Sequence, residues 1–281
     1  MDIEKAKDSI DRQFEKAIYS DIILDDFHPV RVIQSLKSLI GIDVDNPSDL
    51  LVGWGNEYLR NIDQLPQNYY SYSIKKSKET IVLSDIGKYI LLQDYEKCIE
   101  ELQDLCVVSD GNQIFEYLIE FSCNYNESAI PFIWSALRAN IFLKNKYTYH
   151  LLLMSIKILF NDKFKKVGLI GGFERSCIFE SIKKTPLTRQ EKINRCLENS
   201  NLNFNFDVDV FKGTVDVIGK GRIAILDYLN SCNIKFITKE LILFLDACRM
   251  VLKDSSKDNH LKVMKILNQV IEGKLYVEKN W

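Results

Sequence analysis

Asp207, Asp209 and Asp216 are the residues of this chain whose type and spacing come nearest to a reactive constellation. In an extended strand alternate side chains share a face, so Asp207 and Asp209 would project together, and a hairpin return would bring Asp216 beside them. Carboxylates grouped in this way can hold a hard divalent cation or divide acid and base roles. Their stretch, Asn201-Leu-Asn-Phe-Asn-Phe-Asp-Val-Asp-Val210, alternates apolar and polar residues, and Thr214-Val-Asp-Val217 suits a returning strand. Phe204, Val208, Phe211, Val215 and Ile218 also fall at helical spacing, so a helix competes with the hairpin over 201–218. A solvated strand face accounts for the same aspartates without any chemistry. A divergent metal-dependent enzyme is therefore the alternative reading, and the leading one needs no catalytic residue, metal or cofactor.

Other candidates are weaker as chemistry and stronger as surface. Gly219-Lys-Gly-Arg222 has a composition that suits phosphate at a helix start, but not the spacing of a P-loop or dinucleotide fingerprint. His28, His150 and His260 are too far apart in sequence for a local metal motif, and His150 sits in an apolar helix where a core role is expected. Arg138 and His150 are too widely spaced for the arginine–histidine pattern of HEPN ribonucleases. Tyr69-Tyr-Ser-Tyr72 is an aromatic cluster in a polar setting; Tyr70 and Tyr72 are candidate partner anchors, or else line a groove between helices. Glu96, Glu100 and Asp104 recur every fourth residue and predict an acidic stripe along one helix. Lys163, Lys165, Lys166, Lys183 and Lys184 form the densest basic cluster. Both charged groups are solvated helix faces by default, and complementarity to an oppositely charged partner is what they offer beyond that.

Helices must position these residues. Ile3, Ala6, Ile10, Phe14 and Ala17 fall at three- and four-residue steps, which predicts an amphipathic helix over 2–20. Pro29 suits the first turn of a second helix through Val32, Ile33, Leu36, Leu39 and Ile40, closed by Gly41. Ser48-Asp49 opens a third, with Leu51, Trp54, Tyr58, Leu59 and Ile62 inward, running to Pro66. Further helices are expected over 146–160, 174–184 and 188–198, the last opened by the capping box Thr188-Arg-Gln-Glu191.

Two stretches resemble known repeats. Tyr89-Ile-Leu-Leu-Gln-Asp-Tyr-Glu-Lys-Cys-Ile-Glu-Glu-Leu-Gln-Asp-Leu105 is similar to the core of a tetratricopeptide repeat. A tyrosine on the first helix precedes an Asp-Tyr turn, the small Cys98 stands where two helices cross, and the large Leu102 follows one turn later. Asn126 to Ala136 is a second instance, with Ala129, Ile133 and Ala136 in equivalent places and a step of 31 from Cys98 to Ala129. The family period is about 34, so helical hairpins are implied, not a regular array. Gly221 to Ile234 resembles the second helix and exit of an ankyrin repeat, with Ile223, Ile225, Leu226 and Leu229 as its apolar face and Asn233 as its C-terminal cap. Asn259 to Leu267 is a similar run. Such hairpins imply a surface presented to another protein.

Composition bounds the rest. The chain has 281 residues, and 46% apolar with 27% charged content is that of a globular protein. The apolar run Leu151-Leu-Leu-Met-Ser-Ile156 is too short to span a bilayer, and the N-terminus has no apolar signal core, so no membrane role is expected. Seven cysteines without a Cys-x-x-Cys pair fit free thiols in a reducing cytoplasm. Residues 1–140 carry 24 acidic and 13 basic side chains, a balance of -11, and residues 141–281 carry 15 and 24, a balance of +9.

The expectation is an all-α protein of irregular stacked helical hairpins, α-solenoid-like, with at most one short β hairpin near 201–218. Gly168, Gly171 and Gly172 suggest a division into an acidic region, 1–167, and a basic region, 168–281, with one continuous domain as the alternative. The expected function is noncatalytic protein binding, with Glu96, Glu100, Asp104, Tyr70 and Tyr72 facing the partner. An immunity protein or antitoxin that masks a basic toxin or nuclease is one concrete form, and a subunit of a bacterial defence complex is another. Nucleic-acid binding by the basic half is a further alternative.

Overall fold

The computed structural model describes residues 1–21, 27–66, 68–70, 81–161, 222–254 and 267. Among them the architecture is all-α. The helices are α1 (Ile3–Ile18), α2 (Pro29–Ile40), α3 (Asp49–Tyr58), α4 (Ser84–Leu91), α5 (Tyr95–Val108), α6 (Asn112–Tyr125), α7 (Ile130–Phe142), α8 (Thr148–Phe160), α9 (Arg222–Ser231) and α10 (Lys239–Asp254). Strand pairing among the described residues is confined to one antiparallel bridge, Ser20 with Gln64. The hairpin considered near 201–218 and the helices expected over 174–184 and 188–198 lie outside the described residues, as does nearly all of Asn259 to Leu267.

Two compact units are present, one containing residues 1–10, 35–57 and 222–254, the other containing 11–34 and 58–161. Residues 1–10 and 35–57 thus group with C-terminal residues.

In the first unit, α9 packs on α10. Ala224, Ile225, Leu226 and Leu229 are buried on α9, as are Leu241, Ile242, Phe244, Leu245 and Cys248 on α10. Ile223, expected on the apolar face, is 57% exposed. Asn233 does not close α9; its side chain accepts from the Lys235 amide at 3.1 Å and caps the 3-10 turn Ile234–Phe236. Trp54 of α3 donates its indole N–H to the Ile237 carbonyl at 2.7 Å, which satisfies a buried polar edge. Asp246 is buried on α10 beside Arg249, 2.7 Å away. Burial raises its carboxyl pKa, and Arg249, Ser35 and Lys37 offset part of that rise.

In the second unit, the α4–α5 hairpin and helices α6, α7 and α8 form the body, with α5 and α7 both packed on α8. Its remaining residues bring Phe14 to Phe142, with ring centroids 5.6 Å apart, and His28 to Phe132 at 5.4 Å. His28 precedes α2 and works as its cap. Its carbonyl accepts from the Arg31 and Val32 amides, and its Nδ1 accepts from the Val30 amide at 3.3 Å. Pro29 fills the first helical position, where a missing N–H costs nothing. The expected third helix stops at Tyr58, well before Pro66, because the following backbone finds other partners. The Asp21 amide donates to the Asp63 carbonyl at 2.8 Å and the Leu65 amide to the Tyr19 carbonyl at 2.6 Å.

Close helix approach in this unit depends on small residues. Cys98 is fully buried with its Sγ 4.0 Å from the Ile86 carbonyl, so α5 crosses tightly over α4. Gly87 leaves room for Tyr117 of α6; a β-carbon there would run into the phenol oxygen and lie 3.1 Å from the Phe121 ring. Ala129, Ile133 and Ala136 are all fully buried at the start of α7. Between α7 and α8 the chain turns through Lys144 and Asn145 at φ of 52° and 64°. Asn140 braces that turn, donating from Nδ2 to Asn145 Oδ1 at 3.0 Å and to Asn112 Oδ1 at 3.2 Å. The Thr148 hydroxyl lies 2.8 Å from Asn140 Oδ1 and 2.9 Å from the Asn145 carbonyl.

Candidate functional site

Two adjacent leucines are exposed at the α4–α5 turn of the second unit, next to acidic residues; Val108 at the end of α5 is exposed to a similar degree. Ile86 and Ile90 face inward on α4 at a four-residue step and are fully buried. Leu91 and Leu92 then fall about 100° and 200° off that face, and they are 62% and 65% exposed. The turn beneath them is firmly held. The amides of Leu92, Gln93 and Asp94 donate to the carbonyls of Lys88, Ile90 and Tyr89. Gln93 takes a left-handed conformation, φ 56°, which is unusual for a residue with a β-carbon. Its side-chain amide donates to the Ile90 carbonyl at 2.7 Å and to the Tyr125 hydroxyl at 2.9 Å. Asp94 then caps α5, accepting from the Lys97 amide at 3.2 Å while Lys97 Nζ lies 2.9 Å from its other oxygen. The Lys97 hydrogen bond holds the Asp94 carboxyl below the usual carboxylate range.

Glu96 and Glu100 are exposed on α5, whereas Asp104 is only 5% exposed. The predicted acidic stripe therefore ends after two residues. Each four-residue step overshoots a helical turn by about 40°, so two steps carry the third side chain about 80° round the helix, onto the packed side. Glu101 is likewise buried. On the neighbouring α6, Glu116 and Glu120 are exposed, as is Asp110 in the α5–α6 loop. Over residues 84–125 the chain carries nine acidic and two basic side chains, a balance of -7.

Tyr70, a candidate either for a partner anchor or for the groove between helices, is 6% exposed. It packs in a cluster around His150 of α8, with ring centroids 5.0 Å from His150, 5.8 Å from Tyr19 and 4.9 Å from Tyr69. Tyr19, Tyr147 and Tyr149 also meet the imidazole at 5.6, 5.6 and 6.4 Å, all edge to face as in a packed aromatic core. His150 Nε2 lies 3.1 Å from the Tyr19 hydroxyl, and its Nδ1 is buried without a partner. Burial lowers the His150 pKa and raises that of Tyr70. The Tyr147 hydroxyl donates to Glu15 at 2.7 Å, and Lys157 Nζ sits 5.3 Å from the Tyr69 ring centre. Tyr69 is 52% exposed, so the surface of this cluster is Tyr69 and its buried body is Tyr70. Tyr72 lies outside the described residues.

Asp207, Asp209, Asp216, His260, the five clustered lysines and Gly219–Gly221 also lie outside the described residues; Arg222 opens α9 and is exposed. Among the described residues no group of three or more His, Cys, Asp or Glu could hold a metal ion. Cys98, Cys106, Cys123, Cys232 and Cys248 are thiols not joined in disulfides. Burial pushes the Cys98 and Cys106 thiols up to about 12, which keeps them protonated and unreactive. No helix among the described residues is long and apolar enough to cross a membrane. Leu91 and Leu92 were not among the residues singled out from the sequence; the four-residue step from Ile86 to Ile90 was the signal that sets them off the buried face. No protein-family model, curated protein or solved structure matches the chain.

Proposed function

We propose that this protein is a noncatalytic binding module that captures a positively charged protein on its α4–α6 helices. The observation that carries this reading is the acidic balance of -7 over residues 84–125, with Glu96, Glu100, Asp110, Glu116 and Glu120 on exposed positions. Such a concentration of one charge speeds encounter with an oppositely charged surface and discourages wrong partners. Helical hairpins supply a rigid support for it. A basic toxin or nuclease masked by an immunity protein or antitoxin is the concrete form this reading favours, with a subunit of a defence complex as its close variant. The free thiols fit a reducing compartment such as the cytoplasm.

The test is a pull-down of the tagged full chain from its host at physiological salt, followed by affinity measurement on the protein recovered. Glu96→Lys with Glu100→Lys is expected to weaken association about tenfold or more by placing like charges at the contact. Helical content and melting should stay near those of the parent, since both side chains are exposed. Unchanged affinity in the double variant would remove the acidic face from the proposal.

A further inference from the structure

We propose that the α4–α5 turn is the apolar anchor of this surface, and that Leu91 and Leu92 seat against one cationic amphipathic helix of the partner protein. The proposal rests on the reading of the acidic helices as a site for a basic protein. Three features of the turn point to it.

The leucines are adjacent and outward, 62% and 65% exposed, where Ile86 and Ile90 of the same helix are fully buried. Scattered exposed leucines are ordinary, but a tandem pair at a helix end is a compact apolar knob. The support is built in advance. Backbone amides at Leu92, Gln93 and Asp94 are all engaged, Gln93 is held at φ 56°, and its side chain binds both Ile90 and Tyr125. A turn that is ordered before binding loses little entropy on association. Carboxylates outnumber cations beside it. Lys97 is paired with Asp94 at 2.9 Å, so Glu96 and Glu100 stand as outward carboxylates on the first turns of α5, against the exposed Lys88 on α4.

Those parts share one end of the hairpin. Leu92 precedes Glu96 by four residues, a chain reach of at most about 14 Å, and Glu100 lies about 6 Å farther along α5. A helix with leucines on one face and lysines or arginines beside them matches apolar knob to apolar stripe and glutamate to cation. A purely polar basic segment would leave Leu91 and Leu92 in water, and a purely apolar one would strand Glu96 and Glu100.

The experiment uses the full chain and two synthetic probes of equal charge: a leucine–lysine helix of about four turns and a serine–lysine peptide of the same length. Binding is read by fluorescence anisotropy for the parent, for Leu91→Ser with Leu92→Ser, and for Glu96→Lys with Glu100→Lys. The expected result is preference for the leucine–lysine helix, a loss of about tenfold or more in the leucine variant, and a loss for both probes in the glutamate variant. If the leucine variant binds as the parent does while the glutamate variant does not, the anchor is overturned and the acidic surface stands. If neither probe binds the parent, both readings fall. The leucine variant should melt with the parent. A fall of more than a few degrees would show that these side chains pack against this chain and would overturn the anchor. Self-association of the parent that the leucine variant abolishes would assign the knob to a second copy, with the same consequence.

Discussion

Gly111→Ala is expected to destabilise the protein by about 3 kcal/mol, and Thr148→Ser is expected to recover roughly half of that loss. Gly111 caps α6 at φ 86°, where a β-carbon costs about 1–2 kcal/mol. Its added methyl would also run into Thr148 Cγ2 and lie 3.3 Å from Leu152 Cδ1, and overpacking of this kind costs about 1–3 kcal/mol. Serine at 148 removes the obstructing methyl but keeps the hydroxyl near Asn140 and Asn145. The two substitutions should therefore couple, with the double variant more stable than the sum of the single losses predicts. Urea unfolding of the four proteins measures the coupling. Simple additivity would mean that the α6 and α8 ends do not meet as described.

Acidification from pH 7.5 to 5 should destabilise the protein through His28 by about 2 kcal/mol. Burial lowers this imidazole from the ordinary 6.5 to about 3, with its Nδ1 accepting from the Val30 amide and Phe132 against its ring. Between those two values the unfolded chain binds the proton and the folded chain does not. The contribution of His28 is therefore fully present above pH 6.5 and is lost progressively as pH falls toward 3. At pH 5 the interval crossed is about 1.5 pH units, at about 1.4 kcal/mol each. His150 is also lowered and acts in the same direction. Asp246 has the opposite sign: its raised carboxyl pKa means that its folded proton is held more tightly, so its contribution diminishes as pH rises. His28→Asn keeps an acceptor for the α2 cap and removes the titration. Its stability at pH 7.5 should be lower, but the change between pH 7.5 and 5 should be smaller than in the parent. Urea midpoints at the two pH values read this directly, and an equal slope in both proteins would clear His28.

The sequence carried as much of the fold as local spacing can encode. Ala6, Ile10, Phe14 and Ala17 on α1, and Val32, Ile33, Leu36 and Leu39 on α2, are buried as their periodicity requires. The early end of α3 was hidden because its cause is non-local, the pairing of residues 19–21 with 63–65. For Tyr70 the sequence left two roles open, partner anchor or groove residue, because its burial depends on Tyr19 and on His150, both remote in sequence. Of the candidate site, Glu96 and Glu100 were legible as an exposed acidic pair. Asp104 was not, because a four-residue repeat drifts around a helix and only packing decides where the drift becomes burial. Ile223 makes the same point in reverse, an apolar side chain that the repeat pattern turns inward and the packing of α9 leaves outside.

One side chain makes two helices share a fate. Gln93 grips the last turn of α4 through Ile90 and the last turn of α6 through Tyr125. When α4 frays at this end, the tie to α6 is released with it, and the reverse also holds. Amide hydrogens of the two helix ends should therefore exchange with deuterium as one cooperative group. Shortening the tie with Gln93→Ala should split that group into two that exchange independently.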